Sequence, residues 1–123
     1  MVRWFEMAPA AQADWLRDKL GSAVITLGAV IAAIGGACMG GGLELALACD
    51  FRVMAESGVL RQAYTSSGLS IDGGGTFSLP RIIGLARAME IAAFDQSISS
   101  AQALAWGLVT KVVPDSEVRN EAL

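Results

Sequence analysis

Three consecutive glycines followed by a glutamate form the part of this sequence best suited to chemistry. Gly40, Gly41 and Gly42 end an apolar, partly β-branched run and lead into an Ala/Leu-rich segment with helical spacing that carries Glu44. A helix that begins at glycines presents unpaired backbone N–H groups and the positive end of its dipole, with no Cβ to shield them. The pattern predicts a site where a carbonyl oxygen gains negative charge beside a carboxylate.

The same residues also have structural interpretations. The glycines can serve close packing of a strand against a helix, although three in a row exceed what such packing needs. Glu44 can complement the helix dipole in the first turn, an effect worth about 0.3–1 kcal/mol. Residue type alone therefore leaves the role of Glu44 open.

The elements that would position these residues follow from hydrophobic periodicity and from Gly and Pro. Repeated strand-then-helix units predict an α/β architecture with parallel strands and right-handed crossovers. Residues 57–75 are expected to be mostly loop and short strand, and residues 115–123 to begin a further helix. The predicted helices are 9–20, 42–48, 81–94 and 99–106, with Pro80 near the start of the third. The predicted strands are 29–34, 51–55 and 108–113, and the first of them is expected to be buried. Residues 22–27 fit either a helix or a strand.

The clearest helix boundaries belong to the segment 99–106. Ser99 and Gln102 have the three-residue spacing of a capping box, and Gly107 is placed to end the helix in a left-handed conformation.

Composition narrows the class of protein. The 123 residues suffice for one domain, and 54% are apolar while 17% are charged, against a usual charged share of about 25%. So few charges predict exposed apolar surface and self-association. The net charge of −3 argues against nucleic acid as a partner. Because the sequence has no histidine, Ser-His-Asp and Cys-His mechanisms and metal sites with histidine ligands are excluded. No metal site is predicted, and Cys38 and Cys49 are expected to be buried, reduced thiols.

A membrane span is the strongest competing organisation. No charged residue lies between Lys19 and Glu44, and Gly36–Gly40 has the small-residue spacing of paired membrane helices. The glycines between Gly21 and Gly42 would break such a helix, so a protein without a membrane segment is favoured.

Four ordered blocks of sequence resemble the signatures of the crotonase superfamily, the enoyl-CoA hydratases and isomerases. The likeness extends from about Ile31 to Pro114, and the order and spacing of the blocks make it more specific than one glycine-rich turn. The blocks are Ile31–Asp50, Gly68–Thr76, Leu79–Gly84 and Ile98–Val109. The resemblance implies a partial crotonase-like (ClpP/crotonase) α/β fold of repeated strand-strand-helix units.

The resemblance also implies a reaction. The family's substrates are acyl-CoA thioesters, the enolate is held by backbone donors, and no cofactor is used beyond the coenzyme A that the substrate carries. Gly41 aligns with the glycine that supplies one oxyanion donor, with Gly40 and Gly42 beside it, and Glu44 aligns with a catalytic glutamate. Fatty acid metabolism, a cytoplasmic location and assembly into trimers or hexamers are the matching expectations.

Two positions depart from the hydratase pattern. The second catalytic glutamate is expected twenty positions after Glu44, where this chain has Tyr64, a residue that donates hydrogen bonds but shuttles protons poorly at neutral pH. Asp72 matches the catalytic aspartate of another branch, which includes dienoyl-CoA isomerases. Alternatively, Asp72 is a turn residue that accepts from the amides of Gly73–Gly75. Glu44 with Asp72 suits isomerisation better than hydration.

The resemblance is incomplete at the edges. Arg3 is placed where family members bind CoA phosphates, though a lone arginine is also an ordinary solubilising charge. The loop that gives the second oxyanion donor is missing before Val2, so residues 1–123 are predicted to be a single crotonase-like domain shortened at both ends. The alternative function is a catalytically impaired fragment that serves as an oligomeric CoA-binding or structural core.

Overall fold

Short strands that lead into helices make up the part of the chain that the computed structural model describes, residues 29–123. Residues 31–123 form one unit, and the segments predicted at 9–20 and 22–27, together with Arg3, lie outside the described residues. The strands are β1 (Ile31–Ile34), β2 (Ala37–Met39), β3 (Phe51–Ala55), β4 (Val59–Arg61), β5 (Ile98–Ser99) and β6 (Lys111–Val113). The α-helices are α1 (Gly41–Ala48), α2 (Gly75–Ile83), α3 (Leu85–Phe94), α4 (Ser100–Ala105) and α5 (Val118–Glu121), with 3₁₀ turns at Thr65–Ser67 and Asp115–Glu117.

The strands of this region form two three-stranded sheets. One has the order β1-β3-β6 with both pairs parallel, and the other has the order β2-β4-β5. In the second sheet β2 and β4 are parallel, with Ala37 opposite Val59, but β4 and β5 are antiparallel. Parallel pairing was predicted from the strand-then-helix order, and β5 is the exception. Its two residues carry no periodic signal from which a direction can be inferred.

The predicted burial of the first strand is wrong for most of its length. Ile34 is buried, but Ile31 and Ala33 are exposed. Strand β1 lies at the edge of the described sheet, whereas β3 lies between two neighbours and is buried from Arg52 to Ala55. A central strand of a parallel sheet is covered on both faces, and an edge strand need not be.

The single helix predicted for 81–94 is two helices. Gly84 separates α2 from α3, because its φ of 80° and ψ of 157° form a non-helical conformation that favours glycine. Pro80 lies inside α2 rather than near its start, and the helix begins upstream at Gly75. Proline within a helix removes one backbone donor.

The boundaries predicted for α4 are confirmed. The Ser99 hydroxyl accepts from the Gln102 amide at 3.3 Å, the Gln102 side chain accepts from the Ser99 amide at 3.0 Å, and Gly107 is left-handed with a φ of 76°. The following strand is shorter than predicted. The amides of Leu108 and Val109 both bond to the Ala103 carbonyl, so these residues complete the helix end before β6 starts.

The main core packs residues of both sheets against α1–α4, and a smaller cluster lies on the other face of β3. The main core contains Ile34, Leu43, Ala46, Leu47, Met54, Leu60, Leu79, Ala88, Ile91, Ile98, Ala103, Leu108 and Val109, and the smaller one contains Val53, Ala55, Val113 and Val118.

Cys38 and Cys49 are free thiols, but both are only half-buried, whereas full burial was expected. Partial burial raises the pKa of the Cys38 thiol. Across residues 29–123, no helix has the length and apolar character needed to cross a bilayer.

Candidate functional site

The site begins at the open N-terminus of α1. Gly40 has a φ of 52° and a ψ of −126°, a conformation that favours glycine, and no side chain caps the helix. The Gly40 amide donates to the Arg61 carbonyl at 3.1 Å, and the Gly40 carbonyl accepts from the Glu44 amide at 3.1 Å. The Gly41 and Gly42 amides have no acceptor within the described residues. These two amides, rather than that of Gly40, are therefore the donors available to a ligand oxygen.

Glu44 is buried immediately behind these donors. Its exposed fraction is 4%, and within residues 29–123 neither carboxylate oxygen has a hydrogen-bond partner. Gly73, two residues before α2, and Gly75, the first residue of α2, lie against Glu44. A Cβ at Gly73 would come within 2.9 Å of the Glu44 Cβ and Cγ, and one at Gly75 would overlap the carboxylate. A buried carboxylate without hydrogen-bond partners among the described residues is unusual. Glu44 also lies in the first turn of α1, so it can complement the helix dipole as well.

The electrostatic surroundings favour the protonated form of Glu44. Burial raises the pKa of its carboxyl above the ordinary value, and the negative charge of Asp72 adds to that effect. Gln62 lies beside the carboxylate and lowers the pKa in part, without reaching hydrogen-bond geometry. A carboxylate with a raised pKa is a stronger base once it is ionised, which suits proton abstraction.

Tyr64 and Asp72 form a hydrogen-bonded pair next to Glu44. The Tyr64 hydroxyl donates to Asp72 Oδ1 at 2.7 Å. This bond, burial, and the charges of Asp72 and Glu44 raise the pKa of Tyr64 to about 12. Tyr64 therefore keeps its proton at neutral pH. The Gly75 amide donates to the backbone carbonyl of Asp72 at 3.3 Å. The Asp72 carboxylate accepts from the Tyr64 hydroxyl instead of from that turn amide.

Gln62 is a site residue that the sequence reasoning missed. It is 1% exposed, and neither polar atom of its side chain has a partner in the described part of the chain. The available signal was period-two spacing, because Leu60, Gln62 and Tyr64 are buried and alternate with the half-buried Arg61 and Ala63. A glutamine at a buried position of this alternation indicates that a polar side chain lies inside the protein.

Two cavities border α1 and α2. The larger, of about 430 Å³, is lined by β1, β2, the face of α1 that carries Gly42 and Leu45, and Cys49 just after that helix. Glu44 lies on the opposite face of that helix, so the larger cavity is not where its carboxylate acts. A smaller apolar cavity of about 130 Å³ includes Gly75, which contacts Glu44, and extends between α2 and α3.

The predicted site residues are thus partly brought together. Glu44, Tyr64 and Asp72 are neighbours, and Gly41 and Gly42 begin the helix that carries Glu44. Gly40 has its amide engaged, and Arg3 lies outside the described residues. In residues 29–123, no group of three Cys, Asp or Glu side chains is arranged to hold a metal ion.

Comparison with known proteins relates the chain to one family. Residues 12–123 match the family described as enoyl-CoA hydratase/isomerase. A probable enoyl-CoA hydratase of Rhodobacter capsulatus is 46% identical over 86 residues, which is 70% of this chain and 34% of that protein. The chain therefore spans about a third of that relative's length.

Solved structures agree with the sequence match. A monofunctional enoyl-CoA isomerase from M. smegmatis superposes with a TM-score of 0.69 at 42% identity, covering 76% of this chain and 44% of the isomerase. A putative enoyl-CoA hydratase from Thermobifida fusca, in complex with acetoacetyl-CoA, gives a TM-score of 0.72 at 34% identity, covering 74% of this chain and 36% of that structure. The crotonase-like α/β fold expected from the sequence is confirmed.

Proposed function

Because the chain belongs to the enoyl-CoA hydratase/isomerase family, we propose that it acts on acyl-CoA thioesters and moves a double bond rather than adding water. The observation that carries this proposal is the buried carboxylate of Glu44, three residues after the Gly41 amide, with no hydrogen-bond partner for either group among residues 29–123. Together they supply a base and an oxyanion donor, the two groups that enolate chemistry needs.

The reaction follows from these two groups. In a 3-enoyl thioester, Glu44 takes a proton from carbon 2, between the carbonyl and the double bond. The electron pair moves into the thioester, and the Gly41 and Gly42 amides stabilise the negative charge on its oxygen. The same proton then returns at carbon 4, from Glu44 directly or after it has passed to the Asp72 carboxylate, and the double bond lies between carbons 2 and 3. Water is neither consumed nor released.

Tyr64 is the reason to favour isomerisation over hydration. Hydration in the family uses two glutamates, and at the second position this chain has a phenol with a pKa of about 12. That group does not exchange protons readily at neutral pH. The similarity to a monofunctional enoyl-CoA isomerase supports the same choice.

Self-association is the second part of the proposal. Large apolar side chains are strongly exposed on several helices, among them Leu45, Leu85 and Phe94. Exposed apolar surface on this scale favours contacts between copies of the chain. We expect a homo-oligomer, such as a trimer or hexamer, and sedimentation measurements would test this.

An assay with three substrates tests the activity. Purified protein is incubated with 3-enoyl-, dienoyl- and 2-enoyl-CoA, and double-bond migration and water addition are followed separately. Migration without hydration is the expected result, and hydration alone would refute the proposal. A thermal-shift titration with acetoacetyl-CoA runs in parallel. Binding without any turnover would instead support the alternative of a CoA-binding core.

A further inference from the structure

Two residues with unusual backbone conformations are joined by a hydrogen bond. Within residues 29–123, the non-glycine residues with positive φ are Ala63, at 58°, and Asp95, at 49°. The Ala63 amide donates to Asp95 Oδ1 at 2.6 Å. Left-handed backbone is unfavourable for alanine, which has no polar side chain to compensate, so the surrounding contacts must hold Ala63 in place.

Asp95 makes those contacts from the C-terminal end of α3. Its second carboxylate oxygen accepts from the Ser66 amide at 2.9 Å, and Arg61 Nε donates to its backbone carbonyl at 2.9 Å. Although burial acts to raise the pKa of Asp95, the bonds from Ser66 and Ala63 and the Arg61 charge outweigh it and hold the pKa below its usual range. Asp95 is therefore a buried, ionised acceptor that joins both ends of the segment 61–66.

That segment carries two residues of the site. Gln62 and Tyr64 flank Ala63 directly; Gln62 lies beside Glu44, and Tyr64 donates to Asp72. We propose that Asp95 is a positioning residue: by holding Ala63 and Ser66, it places Gln62 beside Glu44 and the Tyr64 hydroxyl on Asp72. The expected effect on turnover rests on the proposed function, whereas the placement of Tyr64 does not.

The placement can be measured without any substrate. Tyr64 is the only tyrosine in the chain, so the absorbance of the phenolate during alkaline titration reports on it alone. In the Asp95→Gly variant, glycine retains the left-handed backbone but the carboxylate is lost. We expect the Tyr64 midpoint to fall from about 12 towards the ordinary value of 10.0. Tryptophan fluorescence at each pH verifies that the protein is folded.

Asp115→Gly is the matched control. The Asp115 carboxylate also accepts two hydrogen bonds, from the Ser57 amide at 3.1 Å and the Ser57 hydroxyl at 2.5 Å, but its loop carries no site residue. Its removal should leave the Tyr64 midpoint unchanged. A folded Asp95→Gly variant whose midpoint equals that of the unsubstituted protein would overturn the proposal.

Kinetics distinguish this role from general stabilisation. If Gln62 and Tyr64 are displaced in the variant, kcat for isomerisation should fall by about 10²-fold, with a smaller change in KM. Asp95→Asn keeps an acceptor for Ala63 and tolerates the left-handed conformation but loses the acceptor for Ser66, so it should recover part of the rate. If Asp95→Gly does not fold, the Ala63→Gly/Asp95→Gly double variant repeats the titration with both left-handed positions relieved. If the unsubstituted protein turns over no thioester, the proposed function fails while the titration still decides the role of Asp95.

Discussion

Helix α4 begins with a complete capping box, whereas helix α1 begins with glycines and no side-chain cap. In α4, the Ser99 hydroxyl takes up an amide that the helix itself leaves unpaired. In α1, the Gly41 and Gly42 residues are exposed and their amides find no acceptor in the described region. The two starts lie in the same unit, so the difference reflects local sequence.

The comparison separates a structural helix start from one suited to a ligand. A cap stabilises a helix by about 1 kcal/mol, and α1 forgoes that gain. What α1 has instead is a buried carboxylate in its first turn, with neither oxygen bonded to any described residue. Under the proposed function, the exposed amides bind the enolate oxygen and Glu44 holds the proton taken from carbon 2.

Removing the proposed base, Glu44, should lower activity more than any of the other substitutions below. We expect Glu44→Gln to lower kcat for double-bond migration by about 10²–10⁴-fold, because the amide cannot accept the proton. Steady-state assays on 3-enoyl-CoA measure this loss. Glu90→Gln is the matched control, since Glu90 is an exposed helical glutamate that pairs with Arg87 at 3.6 Å. Equal rates for Glu44→Gln and the control would show that α1 is not a catalytic helix start.

The same variant has a predicted signature in stability. The pKa of Glu44 is raised in the folded protein above its ordinary value of 4.5, so the folded state binds the proton more tightly than the unfolded state. The contribution of this group to stability is therefore present at low pH and is lost as pH rises through the folded pKa. Glu44→Gln should be more stable than the unsubstituted protein near neutral pH, with the difference shrinking as pH falls through the folded pKa and closed below about pH 4.5. Urea denaturation across pH measures the difference, and a constant gap would contradict the assignment.

Removing one amide should give the next largest effect. Proline at Gly41 deletes the N–H group at the first helical position, where proline is well tolerated. We expect Gly41→Pro to lower kcat by about 10²–10³-fold, the usual loss for one oxyanion donor. Gly41→Ala keeps the amide, and its Cβ would meet nothing within 4 Å, so it should lose far less. Similar losses in the two variants would show that the glycine matters for a reason other than its amide.

The two helix starts were predictable because their signals are local. Ser99, Gln102 and Gly107 have their roles fixed by neighbours a few residues away, and the Gly40–Gly42 run likewise indicated an open helix start. Gly84, by contrast, broke a predicted helix, because helical periodicity continues across it and the pattern does not show its positive φ.

Contacts between distant segments could not be predicted. The burial of Gln62 against Glu44 depends on how the segment after β4 packs on α1. The same holds for Asp72, whose interpretation as a turn residue gave way to its bond with Tyr64. Asp95 drew no attention in the sequence, since its role depends on a backbone conformation at Ala63, thirty-two positions away. Composition and residue spacing do not indicate which distant residues come into contact.

Removing the cap of α4 should give the smallest effect and leave catalysis intact. We expect Ser99→Ala to lower the free energy of unfolding by about 0.5–2 kcal/mol, because the Gln102 amide loses its acceptor. Urea denaturation followed by tryptophan fluorescence measures the loss, with Ala substitution of the exposed Ser97 as the control. Turnover should be unchanged, since α4 carries no residue of the proposed site. If Ser99→Ala instead lowered kcat as strongly as Gly41→Pro, the capped and the open helix starts would not differ in function. The open start of α1 would then be a feature of folding rather than of catalysis.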